Sequence, residues 1–293
     1  MYEKLNKCPL CKEGGFSNAM IIEDHAISKE SFTICKCENC NLLFTNPRPD
    51  EKNIHHYYES PNYISHSNKT NGWIDLIYKS VRRYTIRQKL LWLKKFHPKK
   101  GRLLDYGCGT GNLLKEAKKD KWITIGIEPN QKAREIAIQK ELDVRTNLVE
   151  IQKEKKFDVI SLFHVLEHVH NLDNTIKQLL DRLKKRGILF IAVPNHESHD
   201  RKHFENYWAS YDIPRHLYHF ENSSMEYLAN KYKLKIKDRI PMLFDSYYIS
   251  LLSDKYQKDN SNPISSFFKG LKFNKKAKSD GNYSSIVYVL KKQ

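Results

Sequence analysis

The segment Leu103-Leu104-Asp105-Tyr106-Gly107-Cys108-Gly109-Thr110-Gly111 constrains this chain more than any other. An apolar strand runs into a turn with glycines at alternate positions, and a helical pattern follows. Glycine lets a backbone turn tightly and lie close to a bound group. Further on, Ile125-Gly126-Ile127-Glu128 repeats the strand and ends on an acid. A glycine turn after one strand and an acid after the next describe a nucleoside-binding site at the carboxyl edge of a parallel sheet. The spacing is not the G-x-G-x-x-G of dinucleotide binders, and Asp105 lies two residues before the first glycine.

The surrounding pattern supports such a sheet. Strand-like runs at 102–107, 122–128, 142–146, 157–163 and 187–193 alternate with helical patterns at 111–119, 131–140 and 173–185. Alternation of this length predicts a parallel sheet covered on both faces. A helix near 223–232 and strands at 234–240 and 285–290 complete seven strands. Upstream, Trp73 to Phe96 carries apolar residues at helical spacing with basic residues between them. Residues 243–284 form an insertion before the last strand, apolar and helical at 244–256, aromatic and basic at 265–273. A cap over a substrate pocket is the preferred reading, ahead of a dimer contact or a peripheral contact with a membrane surface.

Cys8-Pro9-Leu10-Cys11 and Cys37-Glu38-Asn39-Cys40 are two C-x-x-C pairs flanking an alternating, strand-like segment. Each pair forms a knuckle presenting two thiolates, and two knuckles complete a tetrahedral zinc site. Without a metal, a segment this short holds too little apolar mass to fold. Cys35, two residues before Cys37, is read as a bystander, with a substitute ligand as the alternative. No apolar run is long enough for a transmembrane helix, and residues 1–7 lack the apolar core of a secretory signal. A cytoplasmic protein with reduced thiols is therefore expected.

The formal net charge is +17, unevenly spread: residues 79–102 carry ten Lys or Arg and no acid. Such a surface attracts phosphate-bearing partners, while a Lys-rich proteome produces the same surface with no partner in mind.

The glycine turn resembles motif I (D-x-G-x-G-x-G) of class I S-adenosylmethionine-dependent methyltransferases, whose cofactor has no pyrophosphate and carries a cationic sulfonium. Glu128, Phe157-Asp158-Val159-Ile160, Val165-Leu166-Glu167-His168-Val169 and the stretch from Leu183 to Pro194 follow the order of that family. The chain is most similar to the group that includes ubiquinone-biosynthesis O-methyltransferases, some of whose members carry zinc ribbons. The resemblance implies an α/β fold, a seven-stranded, mostly parallel Rossmann-like sheet with a small N-terminal zinc-ribbon domain. Residues 1–49 would be the ribbon, 50–100 a linker and basic amphipathic helix, and 101–293 the methyltransferase domain with its insertion.

Carried over by position, the resemblance places Asp105 near the methionine moiety of the cofactor. Tyr106, Gly107, Gly109 and Gly111 lie along it, Glu128 on the ribose hydroxyls, and Phe163 and His164 at its border. A carboxylate suits the paired hydroxyls because it offers paired acceptors. His164, Glu167 and His168 are spaced to share one helical face. Some relatives bind a divalent metal with two acids and a histidine there. Two imidazoles and one carboxylate suit a borderline metal better than a hard one, and a purely structural helix cap is the competing reading.

The aromatic, histidine-rich stretch from His203 to Phe220 follows the fifth strand and is the expected substrate-recognition loop. In-line methyl transfer to a hydroxyl needs alignment and a base. His216 is the first choice, His219 the second, with His164 as a further candidate. Tyr211, Arg215 and Tyr218 are expected to contact the acceptor, Arg215 by pairing with an anionic group. The leading reading is O-methylation of a small or carrier-linked molecule. An RNA methyltransferase, a sugar C-methyltransferase and a non-enzymatic zinc-ribbon binder follow. The segment Phe163-His164-Val165 lacks the Pro-Pro and Pro-Cys patterns of nucleobase methylation, which places nucleic acid behind small molecules.

Overall fold

The computed structural model describes residues 1–58, 73–258 and 262–293, so most of the expected polar linker at 50–71 lies outside the described residues. The N-terminal part contributes β1 (Tyr2–Glu3), β2 (Phe16–Glu23), β3 (Ser31–Cys37), β4 (Leu43–Thr45) and β5 (Arg48–Pro49). Helix α1 (Trp73–Phe96) leads into β6 (Arg102–Tyr106), α2 (Asn112–Lys119), β7 (Ile123–Ile127), α3 (Gln131–Ile138) and β8 (Val144–Arg145). Then come β9 (Phe157–Phe163), α4 (Leu172–Arg182), β10 (Leu183–Pro194), α5 (His199–Phe204) and β11 (Tyr218–His219). The chain ends with α6 (Asn222–Lys231), β12 (Leu234–Pro241), α7 (Asp245–Lys258), α8 (Pro263–Asp280) and β13 (Ser285–Lys292).

The large sheet has seven strands in the order β12-β13-β10-β9-β6-β7-β8. Strand β13 runs antiparallel to both neighbours, and the other pairings are parallel. This is the expected mostly parallel Rossmann-like architecture. From Gly187 to Pro194 every residue of β10 is buried, as a strand covered on both faces must be. Strand order reverses between β6 and β9, and a crevice at their carboxyl ends is where such sheets bind ligands.

The cysteine-bearing segment is not a satellite. Its four-stranded sheet runs β11-β4-β3-β2, and β11 comes from the stretch expected to be a substrate loop. Cys8, Leu10, Cys37, Cys40, Leu42 and Phe44 share one apolar core with Leu104, Ile160, Leu189 and Leu217. The physical reason is size: a ribbon with few apolar residues gains stability by borrowing a larger core.

The insertion folds into the hairpin of α7 and α8. Ser266, Gly270, Phe273, Asn274 and Ala277 form the buried stripe of α8. A Cβ at Gly270 would stand 2.7 Å from Tyr247 Cδ1 and 2.9 Å from its Cα, so glycine is what lets the helices approach.

Candidate active site

The glycine turn caps the carboxyl end of β6. Gly107, Gly109 and Gly111 all have positive φ, at 76°, 53° and 74°. A Cβ at Gly107 would lie 2.4 Å from Val165 Cγ2 and one at Gly111 would lie 2.5 Å from Leu142 Cδ1. At Gly109 nothing lies within 4 Å. Two glycines therefore serve packing, and Gly109 faces open space.

Beside that opening Glu128 accepts from the Gly109 N–H through Oε2 at 2.8 Å and from the Asn130 N–H through Oε1 at 2.9 Å. A carboxylate has about four lone-pair sites, so these bonds orient Glu128 and leave capacity for a diol. Asp105 is buried and accepts from Ser161 Oγ at 2.7 Å. Burial pushes its pKa up to about 6 against the opposing effects of Ser161 and Lys89. Tyr106 packs against the main core, on the opposite side of β6 from Asp105.

Lys89 of α1 was not singled out by the sequence, where it is one of many basic residues. Its Nζ sits 3.8 Å from the centroid of the Phe163 ring. Burial lowers its pKa, opposed by the fields of Asp105 and Asp245. Its helical position, between turns of a basic stretch, gives no local sign of this placement.

Downstream of β9 the expected helical face does not form. His164 has φ 57°, and only Leu166–His168 makes a short 3-10 turn. His164 therefore turns away from His168. Its Nε2 lies 2.9 Å from Asp245 Oδ2 and its Nδ1 3.4 Å from Glu167 Oε1. Burial opposes its charge, but Asp245 and Glu167 prevail and raise its pKa to about 10. Its ion pairs with Asp245 and Glu167 favour the charged ring, and the expected trio of His164, Glu167 and His168 does not converge.

The group that does converge is Glu167, His168 and His216, whose ligand atoms lie within 4.8 Å of one another. Glu167 is fully buried; beyond the ion pair of Oε1 with His164, its carboxylate makes no hydrogen bond among the described residues. His168 Nδ1 is 3.0 Å from the Arg215 carbonyl, and His216 Nδ1 is 2.8 Å from the Ser210 carbonyl. A carbonyl only accepts, so each Nδ1 carries a hydrogen and each Nε2 is the ring atom turned to the group; His168 Nδ1 also lies 3.0 Å from the Tyr58 hydroxyl. The two rings meet edge to face at 4.6 Å. Burial and the neighbouring His216 bring His168 down to about 4, so it is neutral at pH 7. A buried carboxylate beside two imidazoles with carbonyl-anchored Nδ1 atoms fits a borderline divalent cation.

The remaining residues expected to meet substrate are committed elsewhere. Arg215 is fully buried and donates to both oxygens of Asp24, at 2.7 and 3.2 Å, and to Asp212 at 2.9 Å. It ties the N-terminal hairpin to the loop and does not reach out to an anion. The Tyr218 hydroxyl donates to the His170 carbonyl at 2.9 Å and accepts from Arg48 at 3.1 Å. The Tyr211 hydroxyl meets Arg201 Nε at 3.0 Å and His196 Nε2 at 3.3 Å. Both tyrosines are core residues. His219 is buried in β11 beside Tyr211 and His196, and burial drives its pKa well below the usual histidine value. It lies in the aromatic packing and is not one of the Glu167 group.

In the N-terminal part Cys8, Cys11, Cys37 and Cys40 form one cluster, with sulfurs within 4.8 Å of each other. The Cys8–Cys40 and Cys11–Cys37 sulfurs are 3.5 and 3.4 Å apart, far beyond a disulfide bond. Four converging thiols of this kind suit tetrahedral zinc. Cys35 instead points to Asn18 Oδ1 and the Asn46 carbonyl, and burial raises its pKa and that of Cys108.

Comparison with known proteins bears on the family and the fold. A family model described as a methyltransferase domain matches residues 78–237. A ubiquinone biosynthesis O-methyltransferase of Pelagibacter ubique is 37% identical over 101 residues, 32% of this chain and 42% of that protein. One of the same name from Pasteurella multocida is 30% identical over 112 residues, 32% of this chain and 46% of that protein. The chain thus spans less than half the length of these curated relatives. The magnesium protoporphyrin IX methyltransferase of Synechocystis PCC 6803 with bound SAH has the same fold. Its TM-score is 0.55 at 13% identity, covering 83% of this chain and 100% of that one. With the open glycine turn, Glu128 and the seven-stranded order in place, the chain belongs to the methyltransferase-domain family, as a class I S-adenosylmethionine-dependent member.

Proposed function

We propose that this protein transfers the methyl group of S-adenosylmethionine to a hydroxyl of a small-molecule acceptor. The observation that supports the reading is the open glycine turn with Glu128 after β6, next in the sheet to β9, whose following loop carries Glu167 and His168. The match to relatives named as O-methyltransferases supports oxygen as the acceptor atom.

In this reading Glu128 takes the ribose hydroxyls, and the backbone at Gly109 lies against the cofactor. Asp105 faces its cationic part, while Lys89 pairs with its carboxylate. His216 accepts the acceptor's proton at Nε2, the ring nitrogen that its Ser210 contact does not use. His164, held protonated and about a third exposed, places positive charge where the acceptor oxygen becomes anionic. A divalent ion held by Glu167, His168 and His216 would occupy that same Nε2 atom, so His216 serves as the base only while the trio holds no metal. Zinc at Cys8, Cys11, Cys37 and Cys40 has a structural role.

Radiolabelled S-adenosylmethionine offered with a panel of hydroxylated aromatic and aliphatic compounds tests the reaction. The His216→Ala variant should lose about 10²–10⁴ in turnover while keeping cofactor affinity. Retained turnover in that variant removes His216 as the base. Labelling confined to amine or carbon acceptors removes the hydroxyl.

A further inference from the structure

The helical hairpin before the last strand carries an apolar surface that the active site does not use. On α8, Ile264, Phe267, Phe268 and Leu271 are 70%, 52%, 61% and 47% exposed, large values for side chains of this kind. They lie on the side of the helix opposite Ser266, Gly270, Phe273, Asn274 and Ala277, which pack inward. The surface continues beyond α8. Phe268 meets Phe267 at 5.8 Å, Phe267 stacks on Tyr247 at 5.0 Å, Tyr247 meets Phe244 at 6.1 Å and Phe244 meets Tyr84 of α1 at 5.2 Å. An aromatic strip therefore runs from α8 across the start of α7 to α1, and Asp245, the next residue after Phe244, holds His164 at the active site.

Charge says what such a strip meets. The row Ile264, Phe268, Leu271 continues along the helix as Lys275 and Lys278, both exposed, with Lys272 and Lys276 beside them. From Pro263 to Ser279 there is no acid on α8, and Asp254 of α7 is turned inward onto Ser266 and Lys269. On α1, exposed Arg87 lies one turn from Tyr84. Exposed aromatics flanked by lysines on one helix face are the chemistry of a helix lying in the interface of an anionic bilayer. A partner protein or a second copy would need acids to match the lysines, and the strip itself offers none.

We propose that the α8 face, extended by Phe244 and Tyr84, docks on an anionic lipid surface and holds the mouth of the active site against it. No helix among the described residues is long and apolar enough to cross a membrane, so the contact is peripheral.

Flotation of the full-length protein with vesicles of phosphatidylcholine alone, or with a third phosphatidylglycerol, tests this. The anionic vesicles should carry the protein and the neutral ones should not. The double variant Phe267→Ser and Phe268→Ser should bind at least about tenfold more weakly, because the apolar contribution scales with the side chains inserted. The pair Lys275→Glu and Lys278→Glu should lose binding to the anionic vesicles. Thermal melts of each variant, matched to the parent, show that the hairpin remains folded. Equal flotation of the aromatic variant overturns the proposal, leaving only diffuse attraction by a basic protein. So does a parent dimer, seen by sedimentation without lipid, that the aromatic variant dissociates, since a second copy would then cover the face.

Discussion

In the proposed reaction Asp105 and Glu128 divide the work of holding a cationic nucleoside. Glu128 is already oriented by two backbone N–H groups, so truncating it removes a preorganised acceptor. Glu128→Ala should weaken S-adenosylmethionine binding by about 1.5–3 kcal/mol in calorimetry, the range for hydrogen bonds to a charged group. Unchanged affinity would take Glu128 out of the site. Asp105 carries a pKa raised to about 6 by burial. An acid whose folded pKa is raised holds its proton more tightly when folded, so ionising it costs stability as pH rises from about 4 through 6. A bound cation favours the carboxylate and reverses that shift. Cofactor binding at about pH 5.5 should therefore release a proton, visible as a binding enthalpy that changes with the buffer, and affinity should fall below that pH. Asp105→Asn should abolish the buffer dependence. Arg215 makes the contrasting case of a charge spent wholly on the fold. Its removal strands Asp24 in the interior, and Arg215→Ala should cost about 3–5 kcal/mol in urea unfolding, the usual result of orphaning one partner of a buried pair. A loss under about 1 kcal/mol would mean that water reaches Asp24.

Among the elements, the parallel strands and most helices were legible because each carries its own periodicity. Trp73–Phe96 and the seven strands of the sheet appear where the patterns place them, within a few residues. The second half of the site was only partly legible. Glu167, His168 and His216 were each singled out, but the spacing of His164, Glu167 and His168 read as one helical face, and the chain instead turns through a left-handed residue at His164. That turn is held by Asp245, which lies in the insertion and has no local mark in the sequence. The loop from His203 to Phe220 misled for a similar reason. Arg215 looks like a ligand for an anion and Tyr218 like a substrate contact until their partners, Asp24 and Arg48, are brought in from the far end of the chain. Aromatic and charged residues signal that something is bound, and the sequence does not say whether it is substrate or another part of the fold. At the α7–α8 contact, Gly270→Val should force the hairpin apart, at about 1–3 kcal/mol for overpacking. A matching rise in protease cleavage between α7 and α8 would check it. An unchanged melting temperature would show that Tyr247 can yield.

Across the whole molecule, the end with the cysteine cluster and the end with the candidate catalytic residues share a sheet. Tyr218 and His219 pair with Phe44 and Leu43, and Thr45 donates to the carbonyl of His216 at 3.1 Å. Zinc should therefore be needed for catalysis without lying near it. Cys37→Ser, or a strong chelator, should remove about one zinc per chain, lower the melting temperature and reduce methyl transfer together. Heating the intact protein should give one calorimetric transition, and two separated peaks would show the N-terminal part melting alone. The strand β11 has a consequence for how such a protein can be taken apart or recombined. A cut between residues 49 and 101 looks, in the linear order, like a natural seam between two modules. In space it would leave Tyr218 and His219 as a strand with an open edge, and it would leave His216 without the neighbour that fixes its backbone. Grafting a different N-terminal module onto this enzyme would thus fail unless the newcomer also brought a strand of matching register. The two ends of the chain can only be inherited as a pair.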